Sequence, residues 1–560
     1  MPVQLTYPGV YIEEIPSGNH SIVGAPTAIT AFVGRTVKGP VDHAQAVTSF
    51  GDFEKFFGSL DFDYPLSYAI KDFFLSGGAE AFIIRRFSTE SVLQEGQQDP
   101  NYSSVIFGGI NLRAASQGTW GGAISVSADT KGITDQIASM YEDYGLVKSD
   151  LFNFHIAVNG KVIESFTCVT VKKSKNNPNA LDLTLEHESN LVRVSAALPN
   201  SFVIPMSPEV LAKPAVTAVT ETPGKGNKQG VAEVKAKPAI LAVPAKAKSI
   251  SFSGGKDSAA LKSSDDYLGD EGARTGMYAL EKVDIFNMLC IPMDQEATDS
   301  TCIALNPDAA AFCEKRKAMF IAEPLIQWTD KAMQGNWSEI QPTDLNINGE
   351  TARYAATYFP RVKMPDPKMQ DRERFFSACG LITGAMANND INRGVWKAPA
   401  GQTAGLIGVT GLEVKVNDAD NGFLNPLGIN CLRDFPVVGP VIWGDRTLRG
   451  ADLLSDDYKY VSVRRLTNYI EDSLKRGTQW AVFEDNDESL WSQLRLSIGA
   501  FMKGLAVQGA FYNYAVKCDA GTTTPDDIAL GIVNVEVMFA PVKPAEFVVL
   551  KFQQTAASAG

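Results

Sequence analysis

Residues 249–261 read Ser-Ile-Ser-Phe-Ser-Gly-Gly-Lys-Asp-Ser-Ala-Ala-Leu, and Ser253, Gly254, Gly255, Asp257 and Ser258 match an SGGxDS loop of the kind that holds a pyrophosphate. Such a loop works when a buried strand delivers glycine amides to a helix N-terminus, where unpaired N–H groups and the dipole favour an anion. The flanks do not supply this. Upstream is an Ala/Lys/Pro tract followed by an alternating run, which suits a half-exposed strand, and downstream Ser263 to Asp266 and Gly269 break the helical spacing after one turn. The loop therefore reads as a glycine turn where the chain leaves an insertion.

Other chemistry has few places to reside. The histidines are His20, His43, His155 and His187, and no Gly-Thr-Ser nucleophile turn follows in the later α/β part, so a Ser-His-Asp hydrolase is not expected. Cys290, Cys302 and Cys313 lie close in sequence without a CxxC pair or a nearby histidine, so neither a metal site nor a disulfide framework is expected, and no cofactor is. A formal charge of -13 disfavours a nucleic-acid partner. No apolar run reaches the length that spans a bilayer, so no membrane insertion is expected.

The elements that would position any site begin with a β-prone run, Val10 to Ile15, bracketed by Pro8-Gly9 and Pro16-Ser17-Gly18. Residues 27–33 read as a buried strand, 65–78 as a helix closed by glycine and 81–87 as the next strand, a βαβ rhythm. Period-two segments with an Asn159-Gly160 hairpin signal then mark a β-rich insertion, which ends in a low-complexity tract over 211–248. The α/β pattern resumes with a helix expected to start near Asn306-Pro307 and a strand after it. Near the C-terminus two amphipathic helices carry Leu466, Tyr469, Ile470 and Leu474, then Leu490, Leu494, Ile498, Phe501 and Leu505. Strands are expected over 478–484, 511–518, 532–542 and 546–554.

The expected fold is multidomain α/β: an N-terminal arm over 1–22, an α/β core over 23–90 and 263–430, an inserted β-rich domain over 91–262, an α+β domain over 431–544 and a C-terminal arm over 545–560.

Several long blocks resemble the tail sheath proteins of contractile bacteriophages: residues 7–18, 24–40, 266–293 ("DYLGDEGARTGMYALEKVDIFNMLCIPM"), 393–401, 460–491 and 540–554. Lys256 and Ser258 stand where glycine is usual in the family's turn. The resemblance implies a subtilisin-like middle domain without protease activity and a subunit that stacks in hexameric rings around a tail tube. It also implies contraction through a host envelope, contacts with baseplate and tail terminator proteins, and a place in the virion after assembly in the host cytoplasm. The sheath of a phage-derived bacteriocin or injection particle would share these blocks, and an ATP pyrophosphatase is the remote alternative from another class. Two β-prone ends suit donation of a strand to a neighbouring subunit, by Val10, Tyr11, Ile12, Glu13 and Ile15 at one end and Phe547, Val548, Val549, Leu550 and Phe552 at the other. Because the family places its C-terminal domain innermost, Lys475, Arg476, Arg495 and Lys503 are candidate tube contacts, against the plainer reading of Arg464 to Arg476 and Arg495 to Lys503 as solvated helix faces.

Overall fold

The computed structural model describes residues 20–89, 99–172, 177, 179–206 and 248–553. Val10, Tyr11, Ile12, Glu13 and Ile15 lie outside the described residues, as does nearly all of the low-complexity tract. The chain divides into two units, Met1–Thr89 with Ala259–Gly560, and Glu90–Ser258.

The first unit opens with β1 (Thr30–Gly34), β2 (Gln45–Val47), α1 (Phe50–Phe57), α2 (Pro65–Leu75) and β3 (Ala81–Arg85). Every residue of β1 is buried, as expected of a strand covered on both faces. Ala31 and Val33 enter one apolar core, while Phe32 between them enters the other.

The second unit holds β4 (Ser103–Phe107), β5 (Ile110–Ala114), β6 (Ile124–Asp129), α3 (Asp135–Ser139), β7 (Phe152–Val158), β8 (Lys161–Val169), α4 (Leu181–Glu188), β9 (Val192–Val194), β10 (Ile250–Ser251) and β11 (Ser253–Gly254). They form two four-stranded sheets, β10-β6-β7-β8 and β11-β4-β5-β9. Alternate residues of each, such as Ile124, Val126 and Ala128 against Ile110, Leu112 and Ala114, fill one core. Asn159 and Gly160 turn β7 into β8 with φ of 51° and 78°, the left-handed pair a type I′ turn requires.

The first unit resumes with α5 (Ser264–Leu268), β12 (Met288–Cys290), α6 (Asp299–Arg316), β13 (Met319–Ala322), α7 (Ile326–Met333), β14 (Ala355–Phe359), β15 (Val362–Asp366), β16 (Arg372–Phe376), α8 (Cys379–Arg393), β17 (Gly411–Leu412), α9 (Asp418–Leu424), β18 (Asn430–Phe435) and β19 (Gly439–Trp443). An eight-stranded sheet runs β19-β18-β14-β13-β12-β1-β3-β2. Strands from β3 to β18 are parallel, and the edge strands β2 and β19 are antiparallel to their neighbours. The order reverses between β1 and β12, as in doubly wound sheets. Residues of α6 cover one face, and those of α2 and α8 the other. Helices α2 and α8 approach so closely that a Cβ on Gly380 would stand 1.9 Å from the Ala69 carbonyl oxygen, and one on Gly384 2.5 Å from that of Phe73.

Helix α6 departs from the sequence expectation, because it starts at Asp299 and carries Pro307 inside. Asn306, expected to cap it, is instead fully buried and donates to the Leu345 carbonyl at 3.0 Å. Burial of Cys302, Leu305, Ala309, Phe312 and Cys313 against the sheet outweighs the proline's cost of about 3 kcal/mol.

The C-terminal part holds α10 (Val461–Gly477), α11 (Glu488–Val507), β20 (Phe511–Lys517), α12 (Pro525–Ala529) and β21 (Glu536–Pro541). Residues 478–484, expected as a strand, contain a single 3-10 turn, Gln479–Ala481. They form the short link between two helices, and Trp480 stacks on His20 with ring centres 4.0 Å apart. The strand expected over 546–554 is also absent from the described residues, which run from β21 to residue 553 without joining any sheet.

Candidate assembly surfaces

In the SGGKDS loop, Ser253 and Gly254 pair with Ser104 and Ser103 of β4. Gly254 and Gly255 have φ of 78° and 86°, and a Cβ on Gly255 would come within 2.5 Å of the Gly118 carbonyl oxygen and Ser103 Oγ. Asp257 accepts from the Thr119 amide at 2.8 Å and from Thr119 Oγ1 at 2.7 Å. The carboxylate is thus spent on closing a turn. The next helix, α5, is five residues long and starts at Ser264, well past the loop. Among the described residues no helix starts at the glycines, as a phosphate loop requires.

One Ser-His-Asp row exists among the described residues. On adjacent strands of the second unit, His155 Nδ1 lies 2.7 Å from Ser165 Oγ and Nε2 lies 3.4 Å from Asp129 Oδ2. Ser165 sits exposed in the middle of β8, with no glycine turn or helix start to offer oxyanion donors. All seven cysteines are buried free thiols, and burial pushes those of Cys302 and Cys431 up to about 12. Among the described residues no group of three or more His, Cys, Asp and Glu side chains could hold a metal ion, and no helix is long and apolar enough to cross a membrane.

The basic face of α10 divides in two. Arg464 and Arg465 do not face solvent: Arg465 forms a fork on Asp390 at 3.0 and 2.6 Å and reaches the Thr27 carbonyl, while Arg464 lies over the Tyr354 and Tyr458 rings and bonds Asn468 and Glu471. Their burial corrects the reading of that stretch as a solvated face. Lys475 and Arg476 are exposed at the C-terminal end of the same helix, where Arg476 pairs with Asp284 at 2.7 Å. On α11, Lys503 is exposed, and Arg495 is half-buried, pairing with Glu488 at 2.6 Å and donating to the Cys518 carbonyl. The four candidate tube contacts therefore lie on two helices, and two of them already have a carboxylate partner in the subunit.

Strands β20 and β21 form a two-stranded sheet, with Phe511, Tyr514, Val516, Val537 and Phe539 packed toward Ile498, Met502 and Leu505 of α11. Neither outer edge of this hairpin pairs with another strand among the described residues. A two-stranded ribbon is marginal alone, and its edges present unpaired N–H and C=O groups. After β21 the chain passes Val542 to Ala545 and reaches Glu546, whose carboxylate is gripped by Arg446 at 2.7 Å through both Nε and Nη2. Beyond that grip Phe547, Val548, Val549, Leu550 and Phe552 are each more than 70% exposed. Five large apolar side chains in a row of six is far more exposed apolar surface than scattered surface residues give. Nothing in the sequence pattern singles out Arg446, Glu546 or Asp390; their pairing is made only by the fold.

The family model described as "Phage tail sheath protein central domain" matches residues 263–448, and that described as "Phage tail sheath C-terminal domain" matches residues 455–555. Together they take in slightly more than half of the chain, which belongs to the phage tail sheath protein family. The tail sheath protein of Vibrio phage KVP40 is 28% identical over 231 residues, 40% of this chain and 34% of that protein. The chain spans well under half the length of the curated phage relatives it matches. The fold is shared with the Listeria innocua sheath tail protein Lin1278 (TM-score 0.56, 11% identity, 94% of each chain). It is shared too with the contracted helical sheath of the anti-feeding prophage (TM-score 0.53, 20% identity, 98% of this chain and 100% of that one).

Proposed function

We propose that this chain is the sheath subunit of a contractile phage tail, which polymerises as stacked hexameric rings around a tail tube and contracts to drive the tube through a host envelope, without catalysis. The observation that carries this reading is the unpaired apolar run Phe547–Phe552 beside a hairpin, β20–β21, whose edges are open. A strand added to such an edge gains main-chain hydrogen bonds and pockets for alternate side chains. Val10 to Ile15 at the other end would add to the opposite edge. Bonds of this kind hold neighbours together while leaving the subunit bodies able to rotate.

The doubly wound central sheet serves as a subtilisin-like core in this reading, kept for its rigidity. Residues 90–258 face outward, and the α10–α11 region faces the tube through Lys475, Arg476, Arg495 and Lys503. Baseplate and terminator proteins cap the ends of the assembly, which forms in the host cytoplasm and ends in the virion. The sheath of a phage-derived injection particle is the second reading, favoured by the fold shared with the anti-feeding prophage sheath over nearly the full chain. Negative-stain microscopy of the purified protein at rising concentration tests the assembly reading. Rings or tubes are expected, and a particle that stays monomeric throughout contradicts it.

A further inference from the structure

The guanidinium of Arg446 has no exposed surface, and each of its three nitrogens donates a hydrogen bond. Nε and Nη2 hold the two Glu546 oxygens at 2.7 Å each, while Nη1 reaches the Asn425 carbonyl at 2.8 Å, Asp452 Oδ1 at 3.0 Å and the Gly450 carbonyl at 3.3 Å. Tyr460 donates to the same glutamate at 3.2 Å. The backbone of Arg446 is fixed just as firmly. Its amide donates to Asn430 Oδ1 at 2.7 Å, and Asn430 Nδ2 returns a bond to the Arg446 carbonyl at 2.7 Å and another to the Thr357 carbonyl at 3.1 Å. The Leu448 amide donates to the Ala355 carbonyl at 2.8 Å. A continuous path of polar contacts, half-buried at Glu546 and buried from Arg446 onward, thus runs through Asn430 to β14 and β18 of the eight-stranded sheet.

We infer that Arg446 and Glu546 form an anchor for the root of the C-terminal arm, so that tension carried by the arm between subunits enters the eight-stranded sheet instead of peeling β21 from β20. This rests on the proposed sheath function. The anchor's position supports it: Glu546 is the last residue before the exposed apolar run, and among the described residues the backbone hydrogen bond of the link back to β21 is a long one, from the Val542 amide to the Ala510 carbonyl at 3.4 Å. A hairpin pulled from one strand end opens one hydrogen bond at a time, whereas a two-bond fork on one guanidinium must break both bonds together. Arg446 and Glu546 are positioning residues in this scheme, and the apolar residues beyond them make the contact.

The test uses the full chain with Glu546→Gln, which keeps the shape and removes the charge while Asp452 still partners Arg446, and Arg446→Lys, which keeps the charge and loses the fork. In the soluble protein, exchange of the hydrogen-bonded Val542 amide should quicken at least tenfold in Glu546→Gln, with β20, β21 and the melting temperature nearly unchanged. In assembly assays tube yield should fall at least tenfold for Glu546→Gln and less for Arg446→Lys. Unchanged exchange of the Val542 amide, or wild-type tube yield from Glu546→Gln, overturns the anchor. If wild-type protein forms no tubes, it is the sheath reading that fails, and the exchange measurement still decides whether the arm root is anchored.

Discussion

Arg465 and Asp390 illustrate what a sequence withholds at the scale of a residue: both look like ordinary helix-surface charges, yet they meet as a buried fork. Removing one partner of such a pair costs about 3–5 kcal/mol because the other is left charged without water. Gly380 is similar, since its reason lies on another helix. Gly380→Ala would drive a Cβ into the Ala69 carbonyl, a contact of 1.9 Å that only separation of α2 and α8 relieves. A loss of about 1–3 kcal/mol or more is expected, read as a lower melting temperature. Asp72 is buried in α2. Burial pushes its carboxyl up to about 7 from an ordinary 3.8. The native state then keeps a proton that the unfolded chain releases near pH 4, so stability falls as pH rises from about 4 to about 7 and is level above. Asp72→Asn should stabilise more at pH 8 than at pH 5, by about 1–3 kcal/mol, in urea titrations. Equal effects at the two pH values would exclude this origin.

At the scale of elements, patterns that bury a face were readable and those that depend on a partner were not. The paired strands β7 and β8, the Asn159-Gly160 turn between them and the apolar faces of α10 and α11 are local and appear where the sequence puts them. Residues 478–484 carry strand-like composition without a neighbouring strand to pair with, and they fold as a turn. The start of α6 was misplaced because Asn-Pro resembles a helix start, while the deciding contact, Asn306 to Leu345, is remote in sequence. The C-terminal arm is the informative case: its strand-forming composition finds no sheet among the described residues. Val549→Pro and Ile12→Pro, each removing one ladder hydrogen bond, should leave a folded, soluble subunit that sediments without forming tubes. Lys475→Ala should polymerise nearly as the wild type does. Normal tubes from both proline variants would place the subunit contacts elsewhere.

At the scale of the molecule, the second unit enters and leaves the first at adjacent points, since Ser88 and Ala259 are bridged antiparallel. A deletion of residues 90–258 closed by a short glycine linker should therefore leave the eight-stranded sheet and the α10–α11 region folded, and should still assemble. A deletion protein that folds and never polymerises would assign the second unit a role in assembly. Such roles are not legible from one chain, because the surfaces that matter are completed by a neighbour. The most direct measurement is a cryo-EM map of tubes made from the purified protein, traced through residues 541–553. The prediction is that Phe547–Phe552 of one subunit forms a strand on the β20–β21 hairpin of the next, with Glu546 still held by Arg446 at its root. Density showing the run folded back on its own subunit, with neighbours joined through other surfaces, would contradict it.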